Sequence, residues 1–302
     1  LKLRGSFGTM GNADPVPLTN QYNTYATSPQ AASYDINGTD NSLVEGIRQY
    51  SLGVPSTHWE TNKTLDFGVD ATLFNDAFTL SVDWYKRNTQ GLLYNPQVEA
   101  TVGFLTSYPY INVGAMQNTG VDLQVEKKGK FGSNWRYDAE LTFSTYKNKI
   151  TQVANGVKYF YGTSYGSTRI GSFTINEDGH PISSFYGYKV AGLWQSQSEI
   201  NAADATAQKA TGDPKATFQP EGERPGEFRY VDMDGSGTID ANDRTVFGNP
   251  NPDFTYGINA TLGYKNFDLT LYFYGVWGGD VINYTKWYTD FYSSFPGAAV
   301  ST

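Results

Sequence analysis

The stretch TLDFGVDATLFNDAFTLSVDW (Thr64–Trp84) alternates apolar and polar residues on both sides of a short turn. Odd positions are apolar from Leu65 to Leu73, and even positions are apolar from Phe78 to Trp84. A period of two predicts β-strands with one apolar and one polar face. Two residues between such strands fit a tight hairpin. The stretch therefore predicts an antiparallel hairpin in an all-β protein.

The same alternation recurs along the chain and predicts seven membrane-spanning strands. They begin near Leu1, Thr64, Ala77, Val113, Trp135, Asp253 and Phe267. Short turns at 75–76, 128–134 and 265–266 alternate with long connections at 11–63, 95–112 and 151–252. This layout is typical of outer-membrane barrels, whose short turns face the periplasm. The sequence therefore predicts part of a large transmembrane antiparallel β-barrel with long extracellular loops.

The apolar face carries a further membrane signal. Aromatic residues flank the short turns on this face, as expected at a membrane interface: Phe74, Phe78, Trp135, Tyr264 and Phe267. The apolar residues between the aromatic positions are expected to face lipid: Leu65, Phe67, Val69, Leu80, Val82, Leu141, Phe143, Ile258, Leu262, Leu269 and Leu271. A soluble sheet would instead converge these side chains on a dry core.

Composition excludes several classes of function. The net charge of −8 and the absence of a basic cluster argue against a nucleic-acid partner. Without cysteine there is no disulfide framework and no thiol nucleophile. The histidines, His58 and His180, lie far apart and near no serine-nucleophile signature, so no enzyme is predicted. The carboxylates of the polar face are interpreted as a lumen wall.

The chain is expected to be a piece of a longer protein. It opens on alternating residues without a signal peptide, and an odd number of strands leaves open sheet edges that lipid does not tolerate. The expected organisation is a barrel segment over Leu1–Thr302, with a large extracellular elaboration over Thr151–Pro252. Within that elaboration Ser183–Trp194 and Glu227–Val231 are predicted to be extended. Deletion of the polar, alanine-rich stretch Asn201–Pro220 is expected to be tolerated if that stretch is only a tip.

Five stretches in this order resemble the SusC/RagA family of TonB-dependent outer-membrane transporters of Bacteroidetes. They are LKLRGSFGTMGN (Leu1–Asn12), WETNKTLDFGVDATLFNDAFTLSVDWYKRNTQGLL (Trp59–Leu93), NVGAMQNTGVDL (Asn112–Leu123), FYGYKVAGLW (Phe185–Trp194) and PGEFRYVDMDGSGTIDANDRTVFGNPNPDFTYGI (Pro225–Ile258). The resemblance implies a 22-stranded barrel with an internal plug. It also implies active import of oligosaccharides or oligopeptides through TonB, with a SusD-like lipoprotein as a lid. A passive porin and a secreted β-rich carbohydrate-binding protein are the alternatives.

The segment DMDGSGTIDAND (Asp232–Asp243) has the ligand spacing of a twelve-residue calcium loop. Its candidate ligands are Asp232, Asp234, Ser236, the Thr238 carbonyl, Asp240 and Asp243, with Gly237 at the sharp turn. Aspartate stands at position 12, where glutamate is usual, and the flanking prolines leave no room for paired helices. A turn held by its own side-chain hydrogen bonds is the alternative interpretation.

The loop KYFYGTSY (Lys158–Tyr165) supplies candidate substrate contacts. Its aromatic residues are Tyr159, Phe160, Tyr161 and Tyr165. Rings with hydroxyl groups can stack on sugars or cover a peptide. Packing against a neighbouring loop or the lid lipoprotein is the alternative.

Overall fold

A computed structural model describes residues 1–14, 16–27, 33–35, 38, 44–95, 109–154, 157–162, 171–220 and 223–286. The chain divides into two compact units. The sheet unit comprises Leu1–Tyr159, Glu177–His180 and Asp253–Trp277, and the loop unit comprises Phe160–Asn176, Pro181–Pro252 and Gly278–Thr302. None of the described helices is long and apolar enough to cross a membrane.

Strands dominate the described residues. They are β1 (Lys2–Asn12), β2 (Thr24–Ala26), β3 (Ser33–Tyr34), β4 (Val44–Glu45), β5 (Arg48–Ser51), β6 (Glu60–Leu73), β7 (Phe78–Gln90), β8 (Leu93–Tyr94), β9 (Ile111–Asn112), β10 (Gly114–Phe131), β11 (Trp135–Val153), β12 (Tyr159–Tyr161), β13 (Thr174–Glu177), β14 (Ser184–Tyr188), β15 (Val190–Leu193), β16 (Phe228–Tyr230), β17 (Arg244–Gly248), β18 (Phe254–Tyr264) and β19 (Phe267–Trp277). The helix α1 spans Gln197–Thr211, and short 3-10 helices lie at Leu18–Gln21 and Ala241–Asp243.

The sheet unit contains a seven-stranded sheet in the order β1-β6-β7-β10-β11-β18-β19. Each neighbouring pair is antiparallel, and the spatial order follows the chain order. This up-and-down arrangement is that of a membrane barrel wall. The prediction of an all-β barrel segment is confirmed.

The tight turns use left-handed backbone conformations. Between Leu73 and Phe78, which face each other across β6 and β7, the residues Phe74, Asn75 and Asp76 have φ values of 58°, 55° and 66°. A positive φ is uncommon for residues other than glycine, and asparagine and aspartate tolerate it best. The two residues that the sequence placed in the hairpin therefore lie at its bend.

The apolar face of the sheet is not buried by the residues that the structure describes. None of the eleven residues predicted to face lipid is buried. Phe67 and Leu269 are 54% and 55% exposed, and mid-strand Leu141 is 39% exposed. Side chains that expose this much hydrocarbon along regular strands fit a sheet that borders lipid.

The polar face carries an ion-pair network across three strands. Arg4 on β1 donates to both carboxylate oxygens of Asp70 on β6, each at 2.8 Å, and forms an ion pair at 2.8 Å with Asp83 on β7. Gly68 lies beneath the guanidinium, and a Cβ there would come within 2.2 Å of the Asp83 carboxylate. The glycine therefore makes room for the network.

The loop unit is an ordered subdomain. It contains the four-stranded sheet β12-β13-β14-β17 and the antiparallel pair β15-β16. Between β15 and β16 lies α1, which begins after the N-cap Ser196 and ends at the left-handed Gly212. Its apolar side buries Ile200 and Ala207.

The condition under which deletion of part of the loop unit would be tolerated is not met. Asn201–Pro220 is not a tip, because it contains most of α1 and the buried side chain of Gln219. The Gln219 amide donates to the Phe228 carbonyl and accepts from the Tyr230 amide, so it fixes the course of β16. Alanine favours helix, so the alanine-rich stretch folds as α1. A search for residues that alternate with a period of two does not detect a helix that buries only two apolar side chains.

Candidate functional site

The Asp232–Asp243 loop brings three carboxylates together. Oxygen atoms of Asp232, Asp234 and Asp243 all lie within 4.8 Å of one another. The Ser236 hydroxyl, also a predicted ligand, donates to the Thr238 carbonyl at 2.9 Å, so these two oxygens are adjacent. Three of the six predicted ligand residues thus converge, and two others, Ser236 and Thr238, neighbour each other.

Backbone amides hold the carboxylates in place. Asp232 accepts from the amides of Gly235 at 2.7 Å and Gly237 at 2.8 Å. Asp243, at position 12, is fully buried and accepts from the amides of Met233 and Asp240, both at 2.7 Å. Each oxygen keeps lone-pair capacity beyond these bonds. The donor set is the hard oxygen chemistry that calcium prefers.

Asp240 differs from the other predicted ligands. Its carboxylate accepts from the Asn242 amide at 2.6 Å and caps the 3-10 helix Ala241–Asp243. It is not one of the three carboxylates that converge. Contact with an ion from position 9 would therefore run through water, as position 9 often does in calcium loops.

The loop is anchored to the core of its unit. Ile239, at position 8, is 4% exposed, and its amide donates to the Phe218 carbonyl at 2.6 Å. The ring of Phe218 meets Trp194 edge-on at 6.0 Å between centroids. Gly237 has a φ of 86°, and a Cβ there would lie 2.7 Å from Ala210 of α1. The carboxylates are therefore held against a packed scaffold.

The tyrosine candidates occupy an edge strand of the four-stranded sheet. Tyr159 and Phe160 are half-buried in β12, while Tyr161 is 38% exposed. The Tyr161 ring lies 6.5 Å from the Tyr186 ring, between centroids. Tyr165 falls outside the described residues. Of the predicted contacts, Tyr161 has the exposure that a ligand contact needs.

A cavity of about 500 Å³ in the loop unit was not foreseen from the sequence. Its lining includes Tyr188, Tyr230, Phe228, Glu227 and Arg244. The Tyr188 and Tyr230 rings are 5.3 Å apart, and the Arg244 guanidinium lies 5.0 Å from the centre of the Tyr188 ring. Cavities of this size, with aromatic walls and a few polar groups, are typical of small-ligand sites.

The polar groups of this cavity carry opposite charges. Burial is the largest single effect on the pKa of Arg244 and lowers it, but the hydrogen bond to the Tyr188 hydroxyl and the electrostatic interactions with nearby tyrosines together outweigh burial, so the net direction is upward. Arg244 is therefore a permanent cation, and Glu227 supplies an acceptor. The tyrosine spacing of FYGYKV places Tyr186 and Tyr188 on one face of β14, but it does not predict the convergence with Tyr230 and Arg244.

The chain is similar to known outer-membrane receptors over most of its length. No family model matches the chain. It is 32% identical over 284 residues to TonB-dependent receptor P3 of Formosa agariphila, covering 94% of this chain and 26% of that receptor. It is 23% identical over 283 residues to TonB-dependent receptor SusC of Bacteroides thetaiotaomicron, covering 89% of this chain and 24% of SusC.

The chain is similar to a segment of TonB-dependent receptors, among them SusC. It spans about a quarter of the length of the curated relatives that it matches. The match to the solved structure of the RagAB peptide transporter covers 95% of this chain and 28% of the transporter chain, with a TM-score of 0.67 and 24% sequence identity. That likeness shows the fold. The relatives are named as TonB-dependent receptors, and the solved neighbour is named as a peptide transporter.

Proposed function

We propose that the protein imports bulky nutrients, oligosaccharides or oligopeptides, across the outer membrane. The relationship to TonB-dependent receptors over nearly the whole chain is the observation that carries this proposal. A sheet that exposes apolar residues on one face and ion pairs on the other supports it, because a transporter wall meets lipid outside and a polar interior. Energy would come through TonB and its contact with sequence outside this chain.

The aromatic cavity and the neighbouring Tyr161 supply substrate contacts in this proposal. Planar rings bury a large area at low entropic cost, and Arg244 and Glu227 in the cavity lining offer a donor and an acceptor. The loop unit would also present the surface that docks a SusD-like lipoprotein. Its packed core supports this role, since a preorganised surface loses less entropy on binding.

Uptake by the intact receptor tests the proposal. Cells that express the complete gene are expected to take up a labelled nutrient, and cells without a working TonB are not. Uptake that persists without TonB would favour the passive porin. For the cavity, Tyr188→Ala is expected to reduce uptake, while Phe247→Ala is the matched control. Phe247 is 57% exposed on the adjacent strand β17 and does not line the cavity.

We further propose that Asp232–Asp243 holds a structural calcium ion. The convergence of three carboxylates supports it, with oxygens expected about 2.3–2.6 Å from the ion. Calcium should protect this loop from protease in the purified receptor, and Asp234→Asn should remove the protection. Asp213→Asn, an exposed aspartate after α1, is the control. Equal protease sensitivity with calcium and with chelator would refute the calcium proposal and leave the transport proposal standing.

A further inference from the structure

On three strands of the sheet, the apolar face ends in lysine. On β6 this face runs from Leu73 through Val69 and Leu65 and then reaches Lys63. On β7 it runs from Phe78 to Trp84 and then reaches Lys86. On β11 it runs from Trp135 to Phe143 and, after Thr145, reaches Lys147 and Lys149. The change from apolar to basic occurs in each strand at the end opposite the short turns.

The strand register places these four residues, the outer lysines, in two adjoining rows. Thr119 on β10 faces both Lys86 and Lys147. In the next row Asn88 faces Lys63, and Gln117 faces both Asn88 and Lys149. Strands are about 4.8 Å apart, so Lys86 and Lys147 are separated by about 10 Å at the backbone. The Gln117 amide donates to Asn88 at 2.7 Å and ties the second row together.

The outer lysines lack acidic partners in the part of the chain that the structure describes. None of them forms an ion pair among the residues that the structure describes. The two rows, extended to β1, contain no carboxylate. Lys63, Lys147 and Lys149 are exposed. On the opposite face of the same strands, Asp70 and Asp83 are neutralised by Arg4.

We infer that the outer lysines bind the phosphate groups of a glycolipid in the outer leaflet. Long loops lie on the extracellular side of such barrels, so the lysine end of each strand meets the outer leaflet. The apolar run on each strand fills the hydrocarbon layer, and the first basic positions beyond it lie at headgroup level. Lysine stems can lie along the apolar surface while the ammonium groups reach the phosphates. Anionic headgroups attract each such lysine across a short distance.

The test uses the complete receptor, purified in detergent and titrated with phosphorylated lipopolysaccharide and with its dephosphorylated form. The triple variant Lys63→Gln, Lys86→Gln, Lys147→Gln is expected to bind the phosphorylated form roughly one hundred-fold more weakly, at a factor of about five for each lysine. A triple lysine-to-arginine variant at the same positions is expected to keep the affinity. The dephosphorylated form should distinguish little between the variants.

A second triple variant separates location from net charge. Lys127→Gln, Lys128→Gln and Lys130→Gln remove the same charge from the short-turn end of β10. This variant is expected to stay within about twofold of the parent protein. Equal losses in the two glutamine variants, an unchanged affinity of the first, or the same loss with dephosphorylated lipid would each overturn the inference. A shift in electrophoretic mobility on heating confirms that each variant has a folded barrel.

Discussion

Placing arginine on the lipid face of β11 should be costly in a way that depends on depth. Leu141 lies six residues from Trp135, which marks the membrane interface. At about 3.3 Å per residue and a tilt of about 40°, Leu141 is about 15 Å deep. The apolar band of such barrels is about 25 Å tall, so this position is close to the midplane. Leu141→Arg should therefore destabilise the folded barrel by about 2–4 kcal/mol.

Two other arginine substitutions on the same strand calibrate the effect. Tyr137→Arg lies on the same face, about 5 Å from the interface, and should cost no more than about 1 kcal/mol. Thr142→Arg lies at nearly the depth of Leu141 but on the polar face, where water is available. The assay is a urea titration of the complete receptor in lipid vesicles, read by its mobility before and after heating. If Leu141→Arg and Thr142→Arg cost the same, the assignment of the lipid face is wrong.

Four further perturbations test the packing and the charge of the protein. Gly68→Ala should destabilise the barrel by about 1–3 kcal/mol, since its Cβ meets the ion-pair network, whereas Gly8→Ala meets nothing within 4 Å and should be neutral in the same urea titration. Ile200→Ala should cost about 2–5 kcal/mol and expose α1 to protease, and deletion of Asn201–Pro220 should unfold the loop unit, contrary to the behaviour of a tip. Burial and the neighbouring Asp204 raise the pKa of Glu223, so its protonated form stabilises the folded loop unit. This stabilisation is present at low pH and is lost as pH rises through the raised pKa. Glu223→Gln should therefore abolish the pH dependence of protease resistance.

The sheet could be predicted from the sequence because the polarity of each residue there indicates the face of the sheet on which it lies. A strand between lipid and a polar interior must alternate, and Thr64–Trp84 does so without interruption. The same alternation fixes the register, because a shift by one residue would place Asp66 and Asp70 in lipid. Local pattern and global fold agree throughout this part of the chain.

The loop unit could be predicted only in part, because its contacts are not periodic. The aspartate spacing found the curled loop, since calcium-type ligands recur at fixed positions within one segment. The cavity was missed because Tyr188, Tyr230 and Arg244 come from three strands far apart in the sequence. No pattern within a single segment records that convergence.

The hairpin of β10 and β11 is longer than the membrane is thick. The strands contain 18 and 19 residues, whereas a tilted strand crosses the hydrocarbon with about 9–11. Backbone amides in the half of the hairpin near the long loops can therefore exchange their hydrogen bonds for bonds to water. Backbone amides in the half near the short turn lie in the hydrocarbon layer and cannot. The same ladder of hydrogen bonds thus has one part that can open and one part that stays closed. Deuterium uptake along β11 should fall abruptly near Phe143, so motion of the loop end need not disturb the barrel wall.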